Sequence, residues 1–184
     1  GFTSPDGATW TARTWATAGN HTRYAYGAST HVTGIVGSTS LCRSTDSGVT
    51  WGAVTAPASF NDVAFVGSNF VVTLNGGATT TCYSSPDGSA WTARTLPTSQ
   101  QWSEVASNGT LAIAIGGSSN SFASSADGVT WTARTGPSGV VGSVANLHVA
   151  NGRIFLQYSG RLWWTTDAVT WTEVASPAGM TPSA

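Results

Sequence analysis

Apolar and polar residues alternate in short runs along this chain, and turn residues separate the runs at even intervals. The stretch 102–135 shows one unit. Trp102-Ser103-Glu104-Val105-Ala106 reads as a short strand, and Asn108-Gly109 marks a hairpin turn. Leu111-Ala112-Ile113-Ala114-Ile115 follows as a strand apolar enough to be central. A loop spans 116–120, residues 121–125 run into a second turn, and Trp131-Thr132-Ala133-Arg134-Thr135 leaves it as an outer strand. The unit is therefore a four-stranded antiparallel sheet. The other intervals repeat it, with second strands at 32–36, 70–74 and 154–157. Their innermost strands carry Tyr24-Ala25, Val63-Ala64, Val105-Ala106 and Val144-Ala145. A small Ala beside a larger residue suits strands that crowd toward a common axis.

A motif punctuates each unit before its outer strand. Its copies are Ser4-Pro5-Asp6-Gly7-Ala8-Thr9-Trp10, Ser44-Thr45-Asp46-Ser47-Gly48-Val49-Thr50-Trp51, Ser85-Pro86-Asp87-Gly88-Ser89-Ala90-Trp91, Ser125-Ala126-Asp127-Gly128-Val129-Thr130-Trp131 and Thr165-Thr166-Asp167-Ala168-Val169-Thr170-Trp171. The tryptophans are 41, 40, 40 and 40 residues apart. A period of about 40 residues made of short strands predicts an all-β fold, a β-propeller of four-stranded blades. The expected division is a half-blade at 1–14, blades at 15–55, 56–96, 97–136 and 137–175, and a tail at 176–184. The tail is too short for the inner strand pair that the half-blade lacks. Three explanations stand: an excerpt of a longer chain, a ring that closes imperfectly as five blades, or a ring completed by another subunit.

The motif has a physical reading. Asp in a tight turn accepts backbone N–H groups two residues on, Gly takes the positive φ, and Trp buries a large ring against the sheet. Asp6, Asp46, Asp87, Asp127 and Asp167 are expected to be structural, with Ala168 altering the last turn. Arg13, Arg94 and Arg134 follow their Trp by three residues and mark outermost strands, where a charge discourages edge-to-edge pairing.

The second copy matches Ser-x-Asp-x-Gly-x-Thr-Trp residue for residue. It resembles the Asp-box, or BNR repeat, of sialidases and other β-propellers, and the resemblance covers nearly the whole chain. The wording around Trp131 is also similar to bacterial and phage surface propellers. The resemblance implies a fold, not an activity, because this fold hosts many functions. Sialidases use three arginines, a Tyr–Glu nucleophile pair and an Asp. Outside the motifs, Arg23, Arg43, Arg153 and Arg161 and the acids Asp62, Glu104 and Glu173 match none of the family's catalytic segments.

Composition narrows the partners. Only 8% of residues are charged, all seven basic residues are Arg, and the net charge is −1. No basic field exists for nucleic acid, and no apolar run approaches the roughly 18 residues of a membrane span. Nine Trp and 40% apolar residues argue against a disordered chain. Gly1 without Met points to a start that is processed, tag-derived or internal. Cys42 and Cys82 are expected as two free buried thiols. His21, His31 and His148 show no metal spacing, and no cofactor is expected. The sequons at Asn20 and Asn108 matter only in a glycosylating pathway.

One non-repeated cluster is a candidate binding site. Aligned on their inner-strand pairs, Arg23, Asp62 and Glu104 begin neighbouring strands near the axis, on the face opposite the motif turns, with His21, Phe60 and Trp102 just outside. An acidic pair, an arginine and an aromatic platform could hold a sugar or peptide, and the plain alternative is solvated channel residues. Trp163 and Trp164 point to opposite faces, one of them core. The reading is a non-enzymatic structural or interaction module of an extracellular, cell-surface or virion assembly. Its partners are protein subunits or the rest of a longer chain. A carbohydrate-binding propeller is the alternative, and a glycosidase a lesser one.

Overall fold

A computed structural model describes residues 1–117, 119–142 and 145–175. The strands are β1 (Phe2–Thr3), β2 (Thr11–Ala12), β3 (Arg23–Gly27), β4 (Thr30–Gly34), β5 (Ser40–Ser44), β6 (Gly52–Thr55), β7 (Phe60–Val66), β8 (Asn69–Leu74) and β9 (Thr79–Ser85). They continue as β10 (Thr92–Gln100), β11 (Trp102–Ser107), β12 (Ala112–Gly116), β13 (Ser121–Ser125), β14 (Thr132–Thr135), β15 (Asn146–Ala150), β16 (Arg153–Tyr158), β17 (Arg161–Thr165) and β18 (Thr172–Glu173). Four four-stranded sheets, β3 to β6, β7 to β10, β11 to β14 and β15 to β18, follow a two-stranded sheet β1–β2. All pairings within them are antiparallel. This is the propeller architecture of four blades and a half-blade. β10 runs to Gln100, across the expected boundary after residue 96.

The innermost strands contact one another in chain order, β3 with β7, β7 with β11 and β11 with β15. Three apolar cores lie in the clefts between blades. Ala25, Val32 and Leu41 of the first blade meet Phe60, Val63 and Phe70 of the second. Ala64, Val66 and Val71 then meet Trp102, Val105 and Trp131. Ile113, Ile115 and Phe122 meet Leu147, Ile154 and Trp163. The second and third blades thus bury both faces, which explains why β8 and β12 are buried along nearly their whole length rather than alternating.

The cross-strand register aligns the four blades. Tyr24 pairs with Thr33, Val63 with Val72, Val105 with Ala114 and Leu147 with Leu156. The fourth inner strand therefore matches the others at Leu147-His148, not at Val144-Ala145. Val144 lies outside the described residues, and Ala145 precedes the strand. Pattern matching favoured a repeated Val-Ala pair, but backbone pairing fixes the register. Cys42 and Cys82 are free and buried.

Candidate functional site

The register places Arg23, Asp62, Glu104 and Asn146 at one equivalent position, where the inner strand opens on the channel side. β-Bulges precede Asp62 and Glu104, and they turn these side chains toward the following blade. Arg23, Asp62 and Glu104 line one concavity of about 530 Å³. The structure thus brings together three of the four residues of the candidate cluster.

Their bonding is directional. Asp62 Oδ2 accepts the N–H of Val105 in the third blade at 3.1 Å, and Oδ1 accepts its neighbour Val63 N–H at 2.9 Å. Glu104 Oε2 accepts the N–H of Leu147 in the fourth blade at 3.1 Å. Arg23 Nε donates to Asn61 O at 3.0 Å and lies 3.2 Å from Asp62 Oδ1. Asn61 Nδ2 donates to Trp102 O at 2.8 Å, adding a second link between the same blades.

Burial pushes the Asp62 carboxyl up to about 6, against the pull of the Val105 N–H and Arg23. Burial, followed by the nearby negative charge of Asp62, pushes Glu104 up to about 7. Among the described residues no three His, Cys, Asp or Glu side chains group as metal ligands.

Trp102 is not an exposed platform. Its ring is fully buried and its indole N–H donates to Thr79 O at 3.1 Å. Phe60 is equally buried. Both sit at the start of an inner strand, where the bulge directs them into the cleft between blades. Trp163 is core as well, capped by Arg161 at 4.6 Å, while half-buried Trp164 carries Arg153 at 3.9 Å.

The exposed aromatics beside the channel are Tyr24 and Tyr26, at 57% and 55% exposure. Tyr24 Oη lies 2.7 Å from His31 Nδ1, and the Tyr26 ring is 4.5 Å from the His31 ring. Their counterparts in the second blade, Val63 and Phe65, pack against the first blade. Aromatics on alternate residues of an inner strand were the available sign in the sequence.

The motif turns share one bonding pattern. In the fourth copy Ser125 Oγ donates to Asp127 Oδ1 at 3.0 Å and accepts the Gly128 N–H at 2.8 Å, while Asp127 Oδ1 accepts the N–H groups of Val129 and Thr130. The copies at Asp6, Asp46, Asp87 and Asp167 repeat it with small variations. Side-chain and backbone donors hold Asp46, Asp87 and Asp167 down to about 2 and lower Asp6 and Asp127. The last turn is not altered as expected. Ala168 keeps a left-handed φ of 59° and donates to Thr165 Oγ1 at 2.9 Å. Its methyl fills the core toward the third blade, and that packing offsets the strain.

The motif tryptophans differ with their neighbours. Trp91, Trp131 and Trp171 belong to the three interblade cores, and Trp51 meets Trp15 at 4.6 Å. Trp10 of the half-blade is 60% exposed, against the expectation that each ring is buried. Trp91, Trp131 and Trp171 pack toward the preceding blade, and among the described residues no blade stands before the half-blade. Arg94 and Arg134 bind back to Ser84 and Ser124 Oγ at 2.8 and 2.9 Å, and Arg13 to Thr3 Oγ1 at 2.9 Å, each bracing the outer strand.

No protein-family model and no curated protein matches the chain. Among solved structures it is similar to the GH74 enzyme of Niastella koreensis, with 24% identity over 83% of this chain and 24% of that one, at a TM-score of 0.61. It is similar to YCF48 bound to D1 peptide, with 16% identity over 93% and 58% of the two chains, at 0.60. Virginiamycin B lyase from Staphylococcus aureus gives 11% identity over 85% and 56%, at 0.63. The chain spans about a quarter to three-fifths of the length of these proteins. At such identities the likeness is one of fold, the β-propeller.

Proposed function

We propose that this chain is a non-enzymatic interaction module of an extracellular, cell-surface or virion assembly, scaffolded by Asp-box turns. One observation carries the reading: Asp62 and Glu104 each accept a backbone N–H of the next blade. A general acid–base pair must offer its oxygens to a substrate, whereas these hold blades together. The Asp-box identity is supported by the Ser/Thr–Asp–N–H pattern common to the five turns. Absence of Lys and a charge content of 8% fit an extracellular surface. The partners are protein subunits or the rest of a longer chain, and YCF48 with its D1 peptide is a precedent for a peptide on this fold.

The test is turnover. A panel of aryl glycosides and sialosides should remain intact, and Glu104→Gln should change only the unfolding midpoint. Hydrolysis that disappears in a folded Glu104→Gln protein would overturn the reading. Carbohydrate binding is a second reading, favoured by exposed Tyr24 and Tyr26 lining the concavity. Sugar faces stack on such rings. Glycan-array binding that is lost in Tyr26→Ala would select it.

A further inference from the structure

Among the described residues the half-blade holds two strands, where each complete blade holds four. In every complete blade the motif turn joins the third strand to the fourth. The first motif turn joins β1 to β2, so these occupy the third and fourth places, and the inner edge of β1 is unpaired among the described residues. Phe2 on that strand is 69% exposed.

The neighbouring surface is correspondingly half covered. Toward the outside of the first blade, Trp15 packs on Trp51, and a Cβ on Gly48 would stand 3.1 Å from Thr3 Cγ2. Toward the axis, Tyr24 and Tyr26 lie open. In the second blade the same face, with Val63, is buried in the core shared with the first. The open face thus continues an interface that the fold already builds three times.

We infer that the edge of β1 and the Tyr24–Tyr26–His31 face form a docking site for a β-hairpin of a partner polypeptide, whose inner strand reads acid-x-Ala-x-Gly. The three positions follow from the interfaces present. The acid sits where Asp62 and Glu104 sit, since each caps the following blade's N–H. The matching amide here is that of Tyr24, which no side chain among the described residues caps. The Ala corresponds to Ala25, Ala64 and Ala106, two places after Arg23, Asp62 and Glu104. The Gly corresponds to Gly27, where a Cβ would lie 2.0 Å from Phe65 Cγ. Tyr26 stands at the Phe65 position and is at least as large.

The probe is a synthetic peptide of residues 22–35 carrying Arg23→Glu, with the unsubstituted peptide as control. It should bind saturably and raise the unfolding midpoint, and the control should bind about tenfold more weakly, an arginine being unable to accept the Tyr24 N–H. Tyr26→Asp on the protein should abolish both effects. Because a free peptide can fail to form a hairpin, the same sequence is also fused to the C-terminus through a flexible Gly/Ser linker. The fusion should raise the midpoint in the native protein and not in Tyr26→Asp. No rise in the fusion, or a rise indifferent to Tyr26, overturns the proposal. So does a solution mass that is a multiple of 18.8 kDa and falls to one chain in Tyr26→Asp, for then a second copy occupies the site. The inference rests on the interaction-module reading, which fails separately, by glycoside turnover.

Discussion

Asp62 Oδ2 accepts the backbone N–H of Val105 across the cleft between the second and third blades, 3.1 Å away. Glu104 repeats the contact to Leu147 one blade further on. The inner strands are sheet edges, with N–H groups that no strand within their own blade satisfies. A carboxylate from the preceding blade supplies the acceptor and ties the blades together near the axis, where the apolar cleft is narrow.

Removing that acceptor orphans a buried donor. Asp62→Ala should destabilise the protein by about 1–3 kcal/mol at pH 5, where relief of a buried charge counts for little. Asp62→Asn keeps an oxygen within reach and sheds the charge. It should match the native protein at pH 5 and equal or exceed it at pH 8. Urea unfolding at the two pH values checks both. Equal stability of the Ala and Asn variants at pH 5 would remove the tie from the account.

The carboxylates divide into two sets with opposite pH responses. Asp62 and Glu104 are raised from 3.8 and 4.5 to about 6 and about 7, so the folded state binds more protons than the unfolded one between those values. Their stabilising contribution is complete below about pH 4 and declines as the pH rises through 6 and 7. Asp46, Asp87 and Asp167 are lowered to about 2, so their contribution is present above about pH 4 and is lost on acidification toward 2. The unfolding midpoint should peak at about pH 4. The double variant Asp62→Asn, Glu104→Gln should flatten the alkaline side and leave the acid side unchanged. A slope between pH 5 and 8 that persists in the double variant would assign it to other groups.

Gly88 serves both turn and interface. Its φ is +75°, and a Cβ would stand 2.5 Å from Val32 Cγ2 of the preceding blade. Gly88→Ala should cost about 2–4 kcal/mol, the sum of a left-handed non-Gly residue and overpacking. Gly77 has open space around it and no positive φ. Gly77→Ala should be neutral or stabilising by about 0.5 kcal/mol. Thermal unfolding of the two variants measures the contrast.

The blade count, the order of strands and the motif turns were legible because they rest on local signals: a repeat near 40 residues, Asn108-Gly109, and Ser, Asp and Gly at fixed offsets. The convergence of Arg23, Asp62 and Glu104 was legible too, since equal places in a repeat become neighbours around an axis. Interblade contacts were not. Nothing local tells that Asp62 reaches Val105, or that Trp10 is exposed while Trp131 is buried. Those outcomes depend on which blade lies beside each residue. The fourth inner strand misled for a related reason, because Val144-Ala145 imitates the repeated pair three residues early.

Trp102 separates a core residue from a binding platform. Its ring is fully buried between the second and third blades, and its N–H donates to Thr79 O. Trp102→Phe removes that bond and part of the ring, for a cost of about 1–2 kcal/mol and a midpoint lower by about 2–8 °C. Trp102→Ala leaves a large cavity and should cost about 3–5 kcal/mol, enough to leave much of the chain unfolded or insoluble. Trp10, the first motif tryptophan, is 60% exposed, so Trp10→Ala should cost under about 1 kcal/mol. Differential scanning calorimetry of Trp102→Phe and Trp10→Ala decides the matter. A Trp102→Phe protein as stable as the native one would mean that the ring is not a core element, and the aromatic wall of the channel would then have to be redrawn to include it.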